Sequence, residues 1–298
     1  MGKIAIKIKN WIRQNPKEVI ILGIILLVAS FLRLYRISEY MTFLGDEGRD
    51  VIVVRRLLVN ADPILIGPGT SIGDMYLGPL YYYMMAPALL LARFSPVGPA
   101  VQIALLGVAT IFFVWYMART WFGKRGAAVA ALLYAIAPTV IIYSHSSWNP
   151  NIMPFFALLT IWGMWKVWQA RQLKWLLVVG VSMAFVLQSH YLGLLLFPTI
   201  GLFWILTFLK VRKTEEAKKL LLNSVFSGII FLILMSPLVI FDARHGWRNF
   251  GAMQKFFSER QTTVSARPWK AIPKIPNLSQ KIITRLIAGR NETAGKIS

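Results

Sequence analysis

Long apolar runs separated by short polar gaps dominate the chain. A membrane-spanning helix needs roughly 17 to 25 mostly apolar residues, because hydrocarbon offers no hydrogen-bond partner to the backbone. Seven runs come close to this length: 19–36, 100–118, 126–144, 152–169, 174–189, 192–209 and 223–241. The pattern predicts an all-α integral membrane protein, a polytopic helical bundle.

The composition supports this prediction and excludes other classes. Hydrophobic residues make up 56% of the 298 residues and charged residues only 15%, which is far from the balance of a soluble domain. The absence of cysteine excludes a disulfide scaffold and a thiolate metal site. The net charge of +21 is concentrated in the short gaps between apolar runs, so it indicates membrane topology rather than nucleic-acid binding.

An eighth apolar run, 76–94, decides the orientation of the whole chain. Its two prolines and its Tyr81-Tyr82-Tyr83 cluster are typical of the headgroup region, which favours an interfacial helix that does not cross. With that choice, the lysine- and arginine-containing short loops lie on the side of the basic N-terminus. The opposite short loops, 145–151 and 190–191, contain no lysine or arginine. The positive-inside rule then predicts a cytoplasmic N-terminus in a multi-pass cell-membrane protein.

This topology gives the domain organisation. Residues 1–18 form a cytoplasmic basic N-terminus, and the first span is an uncleaved anchor because no signal-peptidase site follows it. Residues 19–241 form the transmembrane module, with interfacial helices in the outer loop 37–99. Residues 242–298 form an outer basic segment, although its 11 lysines and arginines against three acidic residues fit that side less well.

An acidic cluster follows the first span. Asp46 and Glu47 lie between glycines in the sequence 44–50, LGDEGRD, close to the membrane surface. Adjacent carboxylates in such a place are typical of a catalytic base or a cation site, and a divalent metal at this pair is one reading. The alternative is structural: Asp46 caps an amphipathic interfacial helix running from Glu47 to Val59.

Basic, aromatic and amide groups lie on the same predicted face. The segment 241–249, FDARHGWRN, offers Arg244, His245 and Arg248 for phosphate, or alternatively as interfacial anchors. The three histidines all follow outward-facing span ends, but no tight metal-ligand spacing such as HExxH occurs. The candidate substrate-binding residues are Arg49, Tyr81, Asn149, His190 and Tyr191, whose side chains can hydrogen-bond or stack on sugars.

The order of these features resembles a known family. The outer Asp-Glu loop, the runs GPLYYYMMAP and RTWFGKRG, the turn YSHSSWNPN and the final FDARHGWRN are together similar to the polytopic GT-C glycosyltransferases. The nearest groups are the RgtA/B/C/D-like and the protein-mannosyltransferase-like (family 39) enzymes, with lipid A aminoarabinose transferase more distant. The resemblance covers about residues 15–255, and the order of the motifs carries it rather than any single one.

The resemblance implies an inverting transferase that uses a polyprenyl- or dolichyl-phosphate sugar on the non-cytoplasmic face. Asp46 or Glu47 would orient or deprotonate the acceptor hydroxyl, and Arg244 would hold the donor phosphate. Asn149 stands where many relatives have an aspartate, which weakens the case for a second carboxylate and a bridging metal. Relatives continue with further spans, so the chain is expected to be the N-terminal part of a longer fold.

The sequence therefore predicts a membrane glycosyltransferase that moves a hexose or pentose from a polyprenyl-phosphate donor to a protein, glycan or lipid hydroxyl. No cofactor is firmly predicted. The alternatives are a transporter or flippase for a lipid-linked or small polar substrate, and an inactive membrane fragment. A transporter should show inverted repeats and charges at mid-membrane depth, whereas these carboxylates lie in a loop.

Overall fold

The protein is an all-α bundle, as the sequence predicts. The computed structural model describes residues 2–70, 75–258 and 272–288. Its α-helices are α1 (Gly2–Gln14), α2 (Pro16–Leu34), α3 (Ile37–Tyr40), α4 (Gly45–Asn60), α5 (Leu80–Leu91), α6 (Val97–Ile136), α7 (Pro138–Tyr143), α8 (Met153–Ala170), α9 (Trp175–Ser189), α10 (Leu196–Val211), α11 (Glu216–Arg244), α12 (Arg248–Ser258) and α13 (Ile275–Ala288). Two 3₁₀ turns, Asn149–Ile152 and Tyr191–Leu195, precede α8 and α10.

The apolar surfaces of the long helices identify a membrane protein with several spans. Within the described residues, three helical segments are long and apolar enough to cross a bilayer: Val97–Ile136, Tyr191–Val211 and Glu216–Arg244. Large apolar side chains of α11 at helical spacing, such as Leu222, Phe226 and Ile229, are exposed. So broad an apolar surface is stable against lipid rather than against water.

The longest helix, α6, contains a chain reversal. Gly123 has φ 74° and ψ −173° inside it, a backbone conformation that glycine adopts without steric cost. The buried Arg33 lies beside Gly107 and also donates to the carbonyl oxygen of Ala135, although 28 residues of straight helix would place these positions about 42 Å apart. The two arms therefore run antiparallel, and together with α7 they overlie the predicted runs 100–118 and 126–144.

Small side chains let α2 pack closely on the second arm of α6. Ala127, Ala131 and Ala135 recur every four residues and are almost fully buried against Leu22, Ile25 and Ala29 of α2 and neighbours in the first arm. Interfaces built from such residues allow helix backbones to approach without a hydrophobic driving force in lipid.

One basic residue inside the bundle has a structural role that the sequence pattern did not indicate. Pro138 lacks an N–H group, so the last carbonyl groups of α6 have no helical partner. Arg33 is fully buried and donates to two of these carbonyl oxygens, those of Ala135 (2.9 Å) and Tyr134 (3.4 Å). Arg33 therefore stabilises the break between α6 and α7.

The helices α8 to α11 form the second half of the bundle. Close contacts join α9 to its neighbours: Thr160 donates to Ser182 (2.8 Å), and a Cβ atom at Gly180 would lie 2.5 Å from the carbonyl oxygen of Ser227. Short connections at alternate ends link these helices. We call the end that carries residues 44–50, 145–149, 189–191 and 242–250 the carboxylate end, and the end that carries residues 15–18, 119–125, 170–175 and 211–216 the basic end.

The loop 37–99 folds over the carboxylate end. Its helix α5 has 12 residues, which rise about 18 Å and fall short of the roughly 30 Å of hydrocarbon. Buried side chains Tyr81, Tyr82, Met85 and Leu89 fix α5 against α4, the first arm of α6 and the start of α8. The helices predicted in this loop are thus present, and α5 is shorter than a membrane span.

The predicted outer segment 242–298 is only partly described. It contains the end of α11, α12 and α13, and the carbonyl oxygen of Arg285 accepts a hydrogen bond from Thr139 of α7 (2.8 Å). Residues 259–271 and 289–298 lie outside the described residues.

Candidate functional site

The acidic cluster lies in the first turn of α4. Backbone contacts hold this turn against the 145–147 loop, because the Thr42 N–H donates to the His145 carbonyl (3.1 Å) and Thr42 forms a parallel bridge with Ser146. The helix begins at Gly45, and the Glu47 carboxylate caps it by accepting from the Leu44 N–H (3.1 Å). Carboxylates are favourable at this positive end of a helix, so the structural reading of the cluster applies to Glu47 rather than to Asp46.

Glu47 points into the protein. Its side chain is buried, and its other oxygen accepts a short hydrogen bond from the Ser146 hydroxyl (2.6 Å). Both carboxylate oxygens therefore have partners. Glu47, Asp50 and Val54 lie on one face of α4 at helical spacing, and all three are buried.

Asp46 faces the opposite direction and remains accessible. Its side chain is 53% exposed, and one oxygen accepts from Arg49 (2.9 Å). Arg49 also donates twice to a single oxygen of Asp50, at 2.8 and 3.0 Å. Arg49 is therefore a bridge between an exposed and a buried carboxylate, and it fixes the orientation of Asp46.

Asp50 is the most deeply buried carboxyl group of the cluster. The Tyr82 hydroxyl donates to the same oxygen that Arg49 contacts (3.0 Å), while its second oxygen is buried without a hydrogen-bond partner in the described structure. Burial raises the pKa of Asp50 to about 6, although Arg49 and Tyr82 oppose the shift. Burial also raises the pKa of Tyr82, which keeps its phenol protonated as the donor.

Three further predicted residues make internal contacts at the same end. The Tyr81 hydroxyl lies 2.7 Å from the Ser147 hydroxyl, and both groups are buried. Asn149 donates to the Ser189 carbonyl (2.7 Å), so it joins the 145–152 loop to the end of α9. His190 accepts from the Leu192 N–H through Nδ1 (3.1 Å) and starts the turn before α10.

A second polar cluster forms where α11 ends. The buried Asp242 accepts from the Asn249 and Phe250 N–H groups, at 2.7 and 2.9 Å, and thereby caps α12. The Asn249 side chain accepts from the Tyr76 N–H (2.6 Å), and the Tyr76 carbonyl accepts from the Tyr191 hydroxyl (2.6 Å). The predicted Tyr191 thus belongs to a tether between the outer loop, α10 and α12.

The basic candidates lie beside this tether and face outward. Arg244 ends α11, Arg248 begins α12, and both side chains are exposed. His245 stacks on Phe241 with 4.0 Å between ring centroids and donates through Nδ1 to its carbonyl oxygen (2.7 Å). Among the described residues, no hydrogen bond or ion pair joins these three side chains to the acidic cluster.

The segment 76–82 connects the two clusters. Tyr76 contacts the tether, Gln188 accepts from the Leu80 N–H (3.2 Å) and donates to the Leu234 carbonyl of α11 (2.9 Å), and Tyr82 contacts Asp50. Six residues of chain span at most about 22 Å. The acidic and basic candidates therefore share one end of the bundle. The segment 76–82, which joins their two clusters, is at most about 22 Å long.

The donor groups do not assemble a metal site. Glu47 is directed at Ser146, whereas Asp46 is directed at Arg49 on another face of α4. In the described part of the chain, no group of three or more histidine and carboxylate side chains is close enough to hold a metal ion. The residues present thus do not fit the divalent metal considered for Asp46 and Glu47.

Four residues of this site are not among the site residues predicted from the sequence. Asp50, Tyr82, Ser146 and Ser147 provide buried contacts to the predicted ones. The spacing of Glu47, Asp50 and Val54 was a usable signal, because positions i, i+3 and i+7 share a helix face. The two serines carried no such signal, since their partners are 66 and 99 residues away in sequence.

A family model matches more than half of the chain. The model described as dolichyl-phosphate-mannose-protein mannosyltransferase matches residues 77–241. Among curated proteins, the chain is similar to YkcB of Bacillus subtilis (strain 168), which is named as a mannosyltransferase, with 26% identity over 141 residues. That match covers 46% of this chain and 19% of YkcB.

Solved membrane transferases share the fold. ArnT from Cupriavidus metallidurans in the apo state has a TM-score of 0.57 at 18% identity, covering 88% of this chain and 48% of ArnT. The Archaeoglobus fulgidus oligosaccharyltransferase tethered to an acceptor peptide has a TM-score of 0.57 at 19% identity, covering 94% and 38%. The predicted GT-C fold is confirmed, and the chain spans less than half the length of these structures.

Proposed function

The chain belongs to the dolichyl-phosphate-mannose-protein mannosyltransferase family, and from this membership we propose that it transfers a sugar from a polyprenyl-phosphate donor to an acceptor hydroxyl at the carboxylate end. The placement of an accessible Asp46 and an exposed Arg244 at this one end carries the proposal. The similar ArnT has been solved bound to undecaprenyl phosphate, and the similar oligosaccharyltransferase AglB with a dolichol-phosphate. This end is proposed to face the non-cytoplasmic side.

Asp46 is the proposed base. An acceptor hydroxyl has a pKa far above 7, so a positioned carboxylate must take its proton as the new bond forms. Asp46 is accessible, whereas both oxygens of Glu47 already accept hydrogen bonds inside the protein. The role proposed for Glu47 is therefore to anchor the first turn of α4 on the 145–147 loop.

Arg244 is proposed to hold the donor phosphate, with His245 and Arg248 beside it. The acceptor oxygen bonds to the anomeric carbon, the bond from that carbon to the phosphate oxygen breaks, and the phosphate leaves with the negative charge. A fixed guanidinium in a partly dehydrated site stabilises that developing charge. Attack opposite to the leaving phosphate inverts the anomeric centre. Arg49, Tyr81, Asn149, His190 and Tyr191 are proposed to shape the sugar and acceptor site.

Membranes containing the full chain, supplied with polyprenyl-phosphate sugars beginning with mannose, test the proposal. We expect release of polyprenyl phosphate together with a glycosylated acceptor. Asp46→Asn should lower transfer by roughly 10²- to 10⁴-fold, and Arg244→Ala by roughly 10²- to 10³-fold. The matched controls are Asp62→Asn and Arg56→Ala, which change exposed side chains in the same loop.

Two results would contradict the assignment. Retained transfer in both Asp46→Asn and Arg244→Ala at unchanged protein abundance would remove these residues from the reaction. Movement of the intact donor across vesicles without cleavage of its phosphate bond would instead identify a flippase.

A further inference from the structure

A cavity lies in the half of the bundle away from the candidate site. It has a volume of about 200 Å³ and an almost entirely apolar lining from α6, α8 and α10, including Trp121, Met164, Trp165, Trp168, Ile200 and Phe203. An apolar cavity of about 150 Å³ holds one benzene molecule. This cavity can therefore take several methylene groups of a lipid chain, and its exposed lining residues Ile161 and Thr199 leave it open to the bilayer.

Two buried hydrogen-bond donors without partners lie in the last turn and at the C-cap of α8, on the basic-end side of this cavity. The Trp168 indole nitrogen and one terminal nitrogen of the Arg171 guanidinium are both buried and unpaired in the described structure. Trp168 lines the cavity, and Arg171 follows it by one helical turn at the end of α8. Buried donors are normally satisfied, so these two indicate an acceptor that binds here.

The charges around these donors select an anion. Lys210 lies over the Trp168 ring, 5.0 Å from its centroid, and Lys174 precedes α9 at the same end. In the described ranges, no carboxylate forms an ion pair with Arg171, Lys174 or Lys210. A headgroup with its own cation would meet uncompensated repulsion here, whereas a phosphate with no attached cation would not.

We propose that the crevice between α8 and α10 binds one anionic phospholipid, with its phosphate on the Trp168 and Arg171 N–H groups and an acyl chain in the apolar cavity. The 18 residues of α8 rise about 27 Å, so this phosphate site is nearly a membrane thickness from the carboxylate end. The lipid belongs to the leaflet at the basic end, and the sugar donor is proposed to belong to the other leaflet.

Lipid capture by the purified full chain tests this proposal. The chain in detergent is equilibrated with phosphatidylglycerol and a tenfold excess of phosphatidylcholine with the same acyl chains, and bound lipids are counted by native mass spectrometry. We expect one retained phosphatidylglycerol per chain. Arg171→Gln and Trp168→Phe should each lower this occupancy by about tenfold, as expected for loss of a hydrogen bond to a charged group.

Matched controls separate the donors from general charge and ring size. Arg212→Gln removes an exposed charge at the same end. Trp165→Phe replaces an indole of the cavity lining with a smaller phenyl ring, but its indole nitrogen is not one of the unpaired buried donors. Both should retain the lipid. Equal loss in Arg171→Gln and Arg212→Gln, or equal retention of phosphatidylglycerol and phosphatidylcholine, would overturn the proposal.

A second measurement needs no variant. Phosphatidylglycerol with a photoactivatable acyl chain should crosslink to residues 160–168 and 196–203 of the wild-type chain. Absence of crosslinks there would show that lipid does not occupy the cavity. Displacement of the crosslinks by an equimolar polyprenyl phosphate would assign the cavity to the donor lipid and overturn the phospholipid proposal.

Discussion

Three carboxyl groups within five residues of α4 have three different environments. Asp46 is exposed and bound to Arg49, Glu47 is buried with both oxygens paired, and Asp50 is buried with one oxygen unpaired. Burial disfavours a charged carboxylate, and this raises the pKa of Asp50. Only Asp46 combines access to an acceptor with a fixed orientation.

The pH dependence of transfer should report Asp50 through Arg49. As the pH falls through about 6, Asp50 takes up a proton, and Arg49 is left to pair with Asp46 alone. The stronger pairing holds the Asp46 oxygen on Arg49 and away from the acceptor hydroxyl, so wild-type transfer should decline below about pH 6. Asp50→Asn should be slower by roughly 10- to 100-fold at every pH and lack this decline; the pH–rate profile measures both effects.

The stability of the same variant provides an independent check. Because its pKa in the folded state is raised, the Asp50 carboxyl contributes stability that is present at low pH and is lost as the pH rises through about 6. Asp50→Asn should remove this component from the pH dependence of the melting temperature, and Asp62→Asn should not. A decline in transfer near pH 6 that persists in Asp50→Asn would place the responsible group elsewhere.

Residue-level predictability depended on whether the partner was local in sequence. The acidic cluster and the basic segment were recognisable from LGDEGRD and FDARHGWRN. The role of Arg33 was not recognisable from the sequence, because its partner carbonyl groups are about 100 residues away. These carbonyl groups lack a helical partner because Pro138 has no N–H group. The hydrogen bond from Ser146 to the buried Glu47 was not predictable for the same reason, since the two residues are 99 positions apart in sequence.

At the scale of elements, short helices and a loop connect the two clusters. The loop segment 76–82 contacts the tether through Tyr76 and the acidic cluster through Tyr82. Asp242 caps α12 and thereby holds it at the end of α11. The sequence predicted that α5 does not cross, because two prolines and three tyrosines suit an interface. It did not predict the pairing of Tyr76 with Asn249, since hydrogen bonds to backbone groups leave no side-chain pattern.

The capping of α12 by Asp242 gives a prediction for that element. Asp242→Ala removes two acceptors for backbone N–H groups at the start of α12, which costs about 1 kcal/mol. Hydrogen exchange of the Asn249 and Phe250 amides should therefore accelerate by roughly fivefold. Asp242→Asn keeps one acceptor oxygen and should show a smaller change. Unchanged exchange over residues 248–258 in Asp242→Ala would mean that other contacts hold α12.

At the scale of the whole molecule, the long apolar runs were sufficient to predict the fold class. Runs of this length can form only helices in a bilayer, and a helix overlies each of them. The pattern did not show that one helix, α6, would contain two antiparallel arms, because the reversal depends on the single positive φ of Gly123. The apolar pattern also does not indicate which end of the bundle faces the cytoplasm, because that prediction comes from the distribution of lysine and arginine.

The orientation can be tested directly because the chain has no native cysteine. Gly45→Cys and Ser95→Cys lie at the carboxylate end, whereas Arg125→Cys and Thr214→Cys lie at exposed positions of the basic end. If lysines and arginines are retained on the cytoplasmic side, a membrane-impermeant maleimide applied to intact cells should label the first pair and leave the second unlabelled until the cells are permeabilised. Arg125 is a better test position than the neighbouring Gly123, because a cysteine at the positive φ of Gly123 would strain the chain reversal. Ser147→Cys, which is buried beside Tyr81, is the internal control and should stay unlabelled in both conditions. Labelling of Arg125→Cys and not of Gly45→Cys in intact cells would reverse the bundle, and the proposed reaction would then have to take its sugar donor from the cytoplasmic leaflet.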